Sequence, residues 1–229
     1  MENPFPKYIS STFREHLQEN SECPYPFVTI SREYGCPSKL IAKMLEEVLN
    51  KRNLPAKGTR WRAINKEIVM ESARELNLNP SKVSSVFNAE YLGDFEDILA
   101  SFSSNYKSNR RIHKTIREVV KSFVRKGHII IVGRGGVAIT QGCPNALHVR
   151  LQAPLQWRIN KISEKYQLTP SEALKRISDI DKKRTILIEH FLGKKFDASL
   201  FDLIYNCQSF KMDDIVSSIT NVMEQKKMI

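Results

Sequence analysis

Long apolar runs are missing from this 229-residue sequence. Nothing in it approaches the 18 or more apolar residues that a bilayer-crossing helix needs, so no membrane partner is expected. The opening segment, MENPFPKYISSTFREHLQEN, alternates polar and aromatic residues. It lacks an apolar core and a small-residue cleavage site, so no secretory leader is expected there. Cysteine is sparse: Cys23, Cys36, Cys143 and Cys207 lie far apart, with no C-x-x-C pair. That spacing argues against a zinc knuckle, whose ligands come in close pairs, and no metal ligands are expected. The thiols are read as reduced, in a cytoplasmic protein. Internal repeats and low-complexity tails are absent too, and the length suits one domain, residues 1–229, around one well-filled core.

Positive charge is in excess. The formal net charge is +11, spread through KRNLPAKGTRWR, KSNRRIHK and DKKR. Such a field favours anionic partners, a nucleotide or another phosphorylated small molecule above all, with nucleic acid the less favoured choice.

Residues 1–24 read as an N-terminal extension. FVTIS at 27–31 is β-branched and aromatic, as a buried strand should be. Leu40, Ile41, Met44, Leu45, Val48 and Leu49 then recur at helical spacing, behind Ser38 as a candidate cap. A helical stretch is expected through Ile64, Ile68, Ala73 and Leu76, ended or interrupted at Asn79-Pro80. Helical periodicity resumes from Ile112 to Val124 and stops at Gly127. HIIIV at 128–132 is the strongest strand signal, and ALHVRLQA at 146–153 is another. Helices are expected from Leu155 to about Tyr166, and from Pro170, capped by Thr169, toward Phe191. FDLIYN at 201–206 reads as a last strand before a final helix. Buried strands alternating with helices predict a three-layer α/β/α fold around a mostly parallel sheet.

In open α/β sheets, ligands sit beyond the carboxyl ends of strands. Two loops there carry phosphate-binding chemistry. In ISREYGCPSKLIAK, a strand, a short turn with Gly35 and a helix expose backbone N–H groups to an anion, with Arg32 and Lys39 adding charge. It is not a Walker motif, having one glycine and no Gly-Lys-Ser/Thr ending; a plain strand–turn–helix connection is the alternative. In IIIVGRGGVA, Gly133, Gly135 and Gly136 permit a tight turn, and the planar fork of Arg134 can grip a phosphate. No convincing helix is expected directly after it. Farther on, Arg158 and Arg184 stand on two basic helices and could converge on a transferred phosphate; solvated faces are the alternative.

VTISREYGCPSKLIAKMLEE, WRAINKEIVMESARELNL, HIIIVGRGG, NALHVRLQAPLQWRINKI, SDIDKKRTILIEHFLG and KKFDASLFDLIYN, in that order, resemble the cytidylate-kinase-like family. This is a nucleoside monophosphate kinase branch of the P-loop superfamily. The resemblance implies a P-loop kinase-like fold with a helical lid at about 155–193 and a helical acceptor-side insertion at about 50–110, where Arg60, Trp61 and Arg62 are acceptor candidates. It implies ATP and Mg²⁺ as cofactors, and transfer of the γ-phosphate to CMP, dCMP or a related small acceptor. Ser31, Arg32, Gly35, Cys36, Ser38 and Lys39 would form the phosphate-binding turn. Gly133, Arg134 and Gly135 would meet the acceptor. Arg158, Arg184 and Lys39 would be catalytic, with Asp181 beside the latter arginine. Laid on a Walker motif, however, Pro37 replaces the last glycine, Ser38 the lysine and Lys39 the Mg²⁺-binding hydroxyl. The alternative is therefore a kinase-fold protein that binds a phosphorylated ligand without efficient transfer, or acts through a protein or nucleic-acid partner.

Overall fold

The computed structural model describes residues 23–52, 60–76 and 106–229. Strand β1 (Phe27–Arg32) lies at the centre of a five-stranded sheet. Helix α1 (Ser38–Arg52) follows, then β2 (Arg62–Ile64), α2 (Lys66–Leu76), α3 (Tyr106–Lys126) and β3 (Ile129–Val132). A single helical turn α4 (Gly136–Ile139) leads to β4 (Ala146–Gln152), α5 (Leu155–Tyr166) and α6 (Pro170–Leu192). β5 (Leu203–Asn206) and α7 (Met212–Gln225) complete the chain. The strand order is β2-β3-β1-β4-β5, and every pairing is parallel. Parallel strands need a crossover between them, so helices must cover both faces of the sheet.

Side-chain periodicity decides which helix covers which face. Ile41, Leu45 and Leu49 of α1, with Ile215, Ile219 and Met223 of α7, pack on Val28, Ile30, Ile130, Leu147 and Val149. On the other face Ile116 and Val120 of α3, Val137 of α4, and Ile188 and Phe191 of α6 pack on Phe27, Ile129 and Ile131. Strand residues alternate between the two clusters because successive side chains point to opposite faces. A third cluster joins Ile159 and Ile162 of α5 to Ala173, Ile177 and Ile180 of α6, with Tyr34 of the turn after β1 inserted among them.

Helix α6 starts as its sequence predicts: Thr169 accepts from Glu172 N at 3.3 Å, and the Glu172 carboxylate accepts from Thr169 N at 2.8 Å. Gly193, at φ 69°, ends it. Three expectations need correction. Ile64 does not belong to a helix but to β2, where it stands in register with Ile131. The cause is Trp61, which is buried and clasped by the Asn50 amide through both backbone groups at 2.9 and 3.0 Å. That clasp brings the chain onto the edge of β3. The turn after β3 does run straight into a helix, α4, though one of four residues. Finally, the cysteines are not all reduced: Cys23 and Cys143, 120 residues apart, form a disulfide with Cα atoms 5.8 Å apart. A separation that long in sequence hides the fact that both flank the β1–β4 pair.

Of the insertion expected at about 50–110, residues 53–59 and 77–105 lie outside the described residues, as do Asn79-Pro80 and residues 1–22 of the N-terminal extension. Trp61 is a core residue, whereas Arg60 and Arg62 are exposed.

Candidate functional site

Because β1 pairs with β3 on one side and β4 on the other, its carboxyl end lies at the point where the strand order reverses, and a crevice opens there. Ser31 and Arg32 from β1, Gly133 to Val137 from the turn after β3, and Arg184, Leu187 and Ile188 from α6 line a hollow of about 30 Å³. The hollow suits a single small group, such as the head of a larger ligand.

Three arginines meet at this hollow. The Gly133-Arg134-Gly135 run has φ values of 71°, 58° and 71°. Three successive left-handed residues curl the chain back, so that Gly136 N donates to Gly133 O at 2.9 Å. Glycine adopts this conformation freely; an arginine there stores strain, which concentrates at functional positions. Arg134 Nε donates to Asn65 Oδ1 at 2.9 Å, fixing the fork from the carboxyl end of β2. Arg32 lies beneath the turn, so close that a Cβ on Gly133 would collide with its Nη1. Arg184 Nη1 donates to Arg32 O at 3.3 Å and faces Asp181 Oδ1 at 3.4 Å. Burial, with Arg184 and Arg134 nearby, pulls the Arg32 guanidinium down to about 9, and Asp181 opposes the shift. Arg134 is pulled down to about 10, by burial first and then by Arg184. Enclosed guanidiniums that crowd one another are pre-paid electrostatics for an anion: a phosphate among them would relieve both the desolvation and the repulsion.

The turn from Glu33 to Ser38 has a different character. Most of its N–H groups already have partners: Glu33 N donates to Leu151 O at 2.9 Å, Cys36 N to Glu33 O at 3.3 Å and Ser38 N to Cys36 O at 2.9 Å. Tyr34 N donates to the carboxylate of Asp181 at 2.7 Å. Pro37 has no N–H to offer. Asp181 thus sits on the turn as an internal anion, and its other oxygen takes a 2.6 Å bond from Arg158 Nη1. Arg158 is buried, donates from Nε to Ala153 O at 3.0 Å, and lies 3.4 Å from Glu33. Gly35, at φ 100°, lets the turn pass over its stem, where a Cβ would stand 3.3 Å from Arg158 Cβ.

The sequence-predicted residues therefore fall into three groups. Ser31, Arg32, Gly133, Arg134, Gly135 and Arg184 come together at the hollow. Gly35, Cys36, Arg158 and Asp181 form or brace the turn, with Ser38 buried at the start of α1. Lys39 points outward, exposed, on the first turn of α1. Sequence reasoning missed Asn65, which orients Arg134, and Tyr34, whose ring has the guanidiniums of Arg176 and Arg184 at 5.8 and 5.5 Å. Asn65 becomes visible once β2 is read as a strand, because it then occupies a strand's carboxyl end.

The fold is consistent with use of ATP and Mg²⁺, but the turn itself offers the metal no hydroxyl in the usual place. Lys39 stands where the metal-binding hydroxyl would be, Ser38 is buried, and Asp181 is committed to Tyr34 N and Arg158. Among the described residues, no three His, Cys, Asp or Glu side chains group as metal ligands. No helix among them is long and apolar enough to cross a membrane.

A three-layer α/β/α sandwich with a parallel sheet in this strand order has the architecture of P-loop kinase-like proteins. Residues 27–209 match the cytidylate kinase-like family, and the chain belongs to it. None of the curated proteins matches the sequence. Among solved structures, the chain is similar to an uncharacterized protein from Eubacterium ventriosum at 18% identity and a TM-score of 0.62, covering 87% of this chain and 98% of that one. It also aligns with shikimate kinase from Bacteroides thetaiotaomicron at 11% identity and a TM-score of 0.48, covering 88% and 98%.

Proposed function

We propose that this protein is a nucleoside monophosphate kinase-like phosphotransferase that takes the phosphate of CMP, dCMP or a related small acceptor among Arg32, Arg134 and Arg184, with ATP as donor. The observation that carries this reading is the Arg32 guanidinium, enclosed beneath Gly133 with two further guanidiniums beside it and shifted well below its ordinary range. In-line transfer needs positioning and charge stabilisation more than a side-chain nucleophile. Arg134, held by Asn65, fixes the acceptor phosphate, and Arg184 reaches from α6 toward the bond being made. Arg158 acts as a positioning residue, holding the turn through Asp181.

A second reading, binding of a phosphorylated ligand without efficient transfer, is favoured by a separate observation. Lys39 is exposed, and the N–H groups of Glu33, Tyr34, Cys36 and Ser38 are committed internally. ATP turnover with Mg²⁺ across a panel of nucleoside monophosphates, beside Arg134→Ala and Arg32→Ala, separates the two. Transfer to CMP or dCMP that falls by roughly a hundredfold in each variant supports the kinase, since one charge-stabilising donor is worth about that much. Binding of CMP without turnover supports the second reading. Absence of both sinks the two together.

A further inference from the structure

Tyr34, in the turn after β1, is gripped at each of its polar groups by the α5–α6 pair. Its N–H donates to Asp181 Oδ1 at 2.7 Å, its carbonyl accepts from Arg158 Nη1 at 3.4 Å, and its hydroxyl accepts from Arg176 Nε at 3.0 Å. Its ring belongs to the apolar cluster that joins the two helices, which among the described residues holds no strand residue. The first half of α6 therefore packs on α5 and the turn, whereas its last turns, with Ile188 and Phe191, are fixed in the core under the sheet.

Asp181 stands between these two parts of α6. Its Oδ1 accepts from Tyr34 N and faces Arg184 Nη1 at 3.4 Å, and its Oδ2 takes the 2.6 Å bond from Arg158 Nη1. One backbone N–H and two guanidiniums converging on a carboxylate are the same donors that a phosphate selects. The Asp181 side chain is 26% exposed, so an anion arriving from solvent can reach the place it fills.

We infer that Asp181 is an intramolecular latch: its carboxylate occupies the anion position of the turn, and a phosphate of the donor nucleotide binds there by displacing it and releasing the first half of α6. The latch rests on the proposed function, in which the donor is ATP. The exchange leaves no donor unsatisfied, because the incoming phosphate takes over Tyr34 N, Arg158 and Arg184 while the Asp181 carboxylate passes into water. A phosphate carries more charge and more acceptor oxygens than a carboxylate, so it competes well for guanidiniums. Arg184 is the link to the reaction. With the latch closed, its Nη1 lies against Asp181 and the Arg32 carbonyl at 3.4 and 3.3 Å. With the latch open, the same group is available to the phosphate being transferred.

The test measures pyrophosphate and ATP binding by calorimetry on the full chain and on Asp181→Asn, Asp181→Ala and Asp179→Asn, with circular dichroism to establish that each is folded. Asp179 lies on the exposed face of α6, so its variant loses the same charge without touching the turn. For a latch closed roughly nine-tenths of the time, removal tightens binding by about tenfold. Both Asp181 variants are expected to show that gain, and Asp179→Asn to bind as the parent chain does. A folded Asp181→Asn that binds pyrophosphate no more tightly than the parent overturns the latch, as does an equal gain in Asp179→Asn, which would assign the effect to net charge. Should neither Asp181 variant fold, the parent chain labelled with ¹³C and ¹⁵N decides. Its Tyr34 amide and Asp181 carboxylate carbon are expected to shift together as pyrophosphate saturates, and a carboxylate signal that stays still overturns the latch. CMP binding and transfer are followed in parallel. Their loss with the pyrophosphate gain intact removes the phosphotransferase reading and leaves the latch, whereas pyrophosphate binding by none of the chains removes the latch and leaves that reading to CMP.

Discussion

Gly133 and Arg134 share a left-handed backbone, but only Gly133 also faces a guanidinium with no room for a methyl group. Gly133→Ala therefore combines an unfavourable φ with displacement of Arg32. It is expected to lower stability by about 1 to 3 kcal/mol, read from a urea midpoint, and to weaken CMP binding more than ATP binding. A second consequence at this scale comes from His113 and His190, whose rings lie 4.0 Å apart beside Phe191 and Arg117. Burial first, and then His190, hold His113 down to about 4; burial and then Arg117 lower His190. In the unfolded chain both take up protons near 6.5. Their contribution to stability is therefore complete above about pH 6.5 and is lost as pH falls toward 4. The urea midpoint should drop between pH 7 and 5, and His113→Gln should shrink that drop. The sequence made Arg134 legible because glycines surround it. Arg32 was legible only as a charge, since nothing in SREYG tells that its side chain turns under a loop a hundred residues away.

At the scale of elements, α6 does more than cover a face. Its middle carries Asp181 to Tyr34 N and Arg158, while its last turns carry Ile188 and Phe191 into the core. Asp181→Ala leaves Arg158 buried beside Glu33 alone and opens the Tyr34 N–H. Breaking one partner of a buried pair costs roughly 3 to 5 kcal/mol, and with Asp181 partly exposed the lower end is expected. Asp181→Asn, which keeps the shape, should recover part of that in the same denaturation experiment. Most helices and strands were legible from spacing and caps, as in Thr169 and Gly193. β2 was not, because three residues are too few to show a period, and the Asn50–Trp61 clasp that creates it is a contact between side chain and distant backbone.

For the molecule as a whole, the layers follow from alternating strands and helices, which composition and spacing state directly. Pairings across 120 residues do not appear in spacing, and so the Cys23–Cys143 bridge was invisible. Closing so long a loop is worth about 4 to 5 kcal/mol in the chain-entropy account. Reduction with dithiothreitol should therefore lower the Tm by several degrees, and a Tm insensitive to reduction would remove the bridge from the account of stability. The sheet has one more consequence. Its central strand, β1, finds its first partner at Phe27↔Ile129 and its second at Phe27↔Ala146. During synthesis at 5 to 20 residues per second, β1 emerges roughly 5 to 20 seconds before either neighbour exists. For that interval the most apolar segment of the N-terminal half has no native pairing available, which makes the nascent chain a natural client for whatever shields exposed strands on the ribosome.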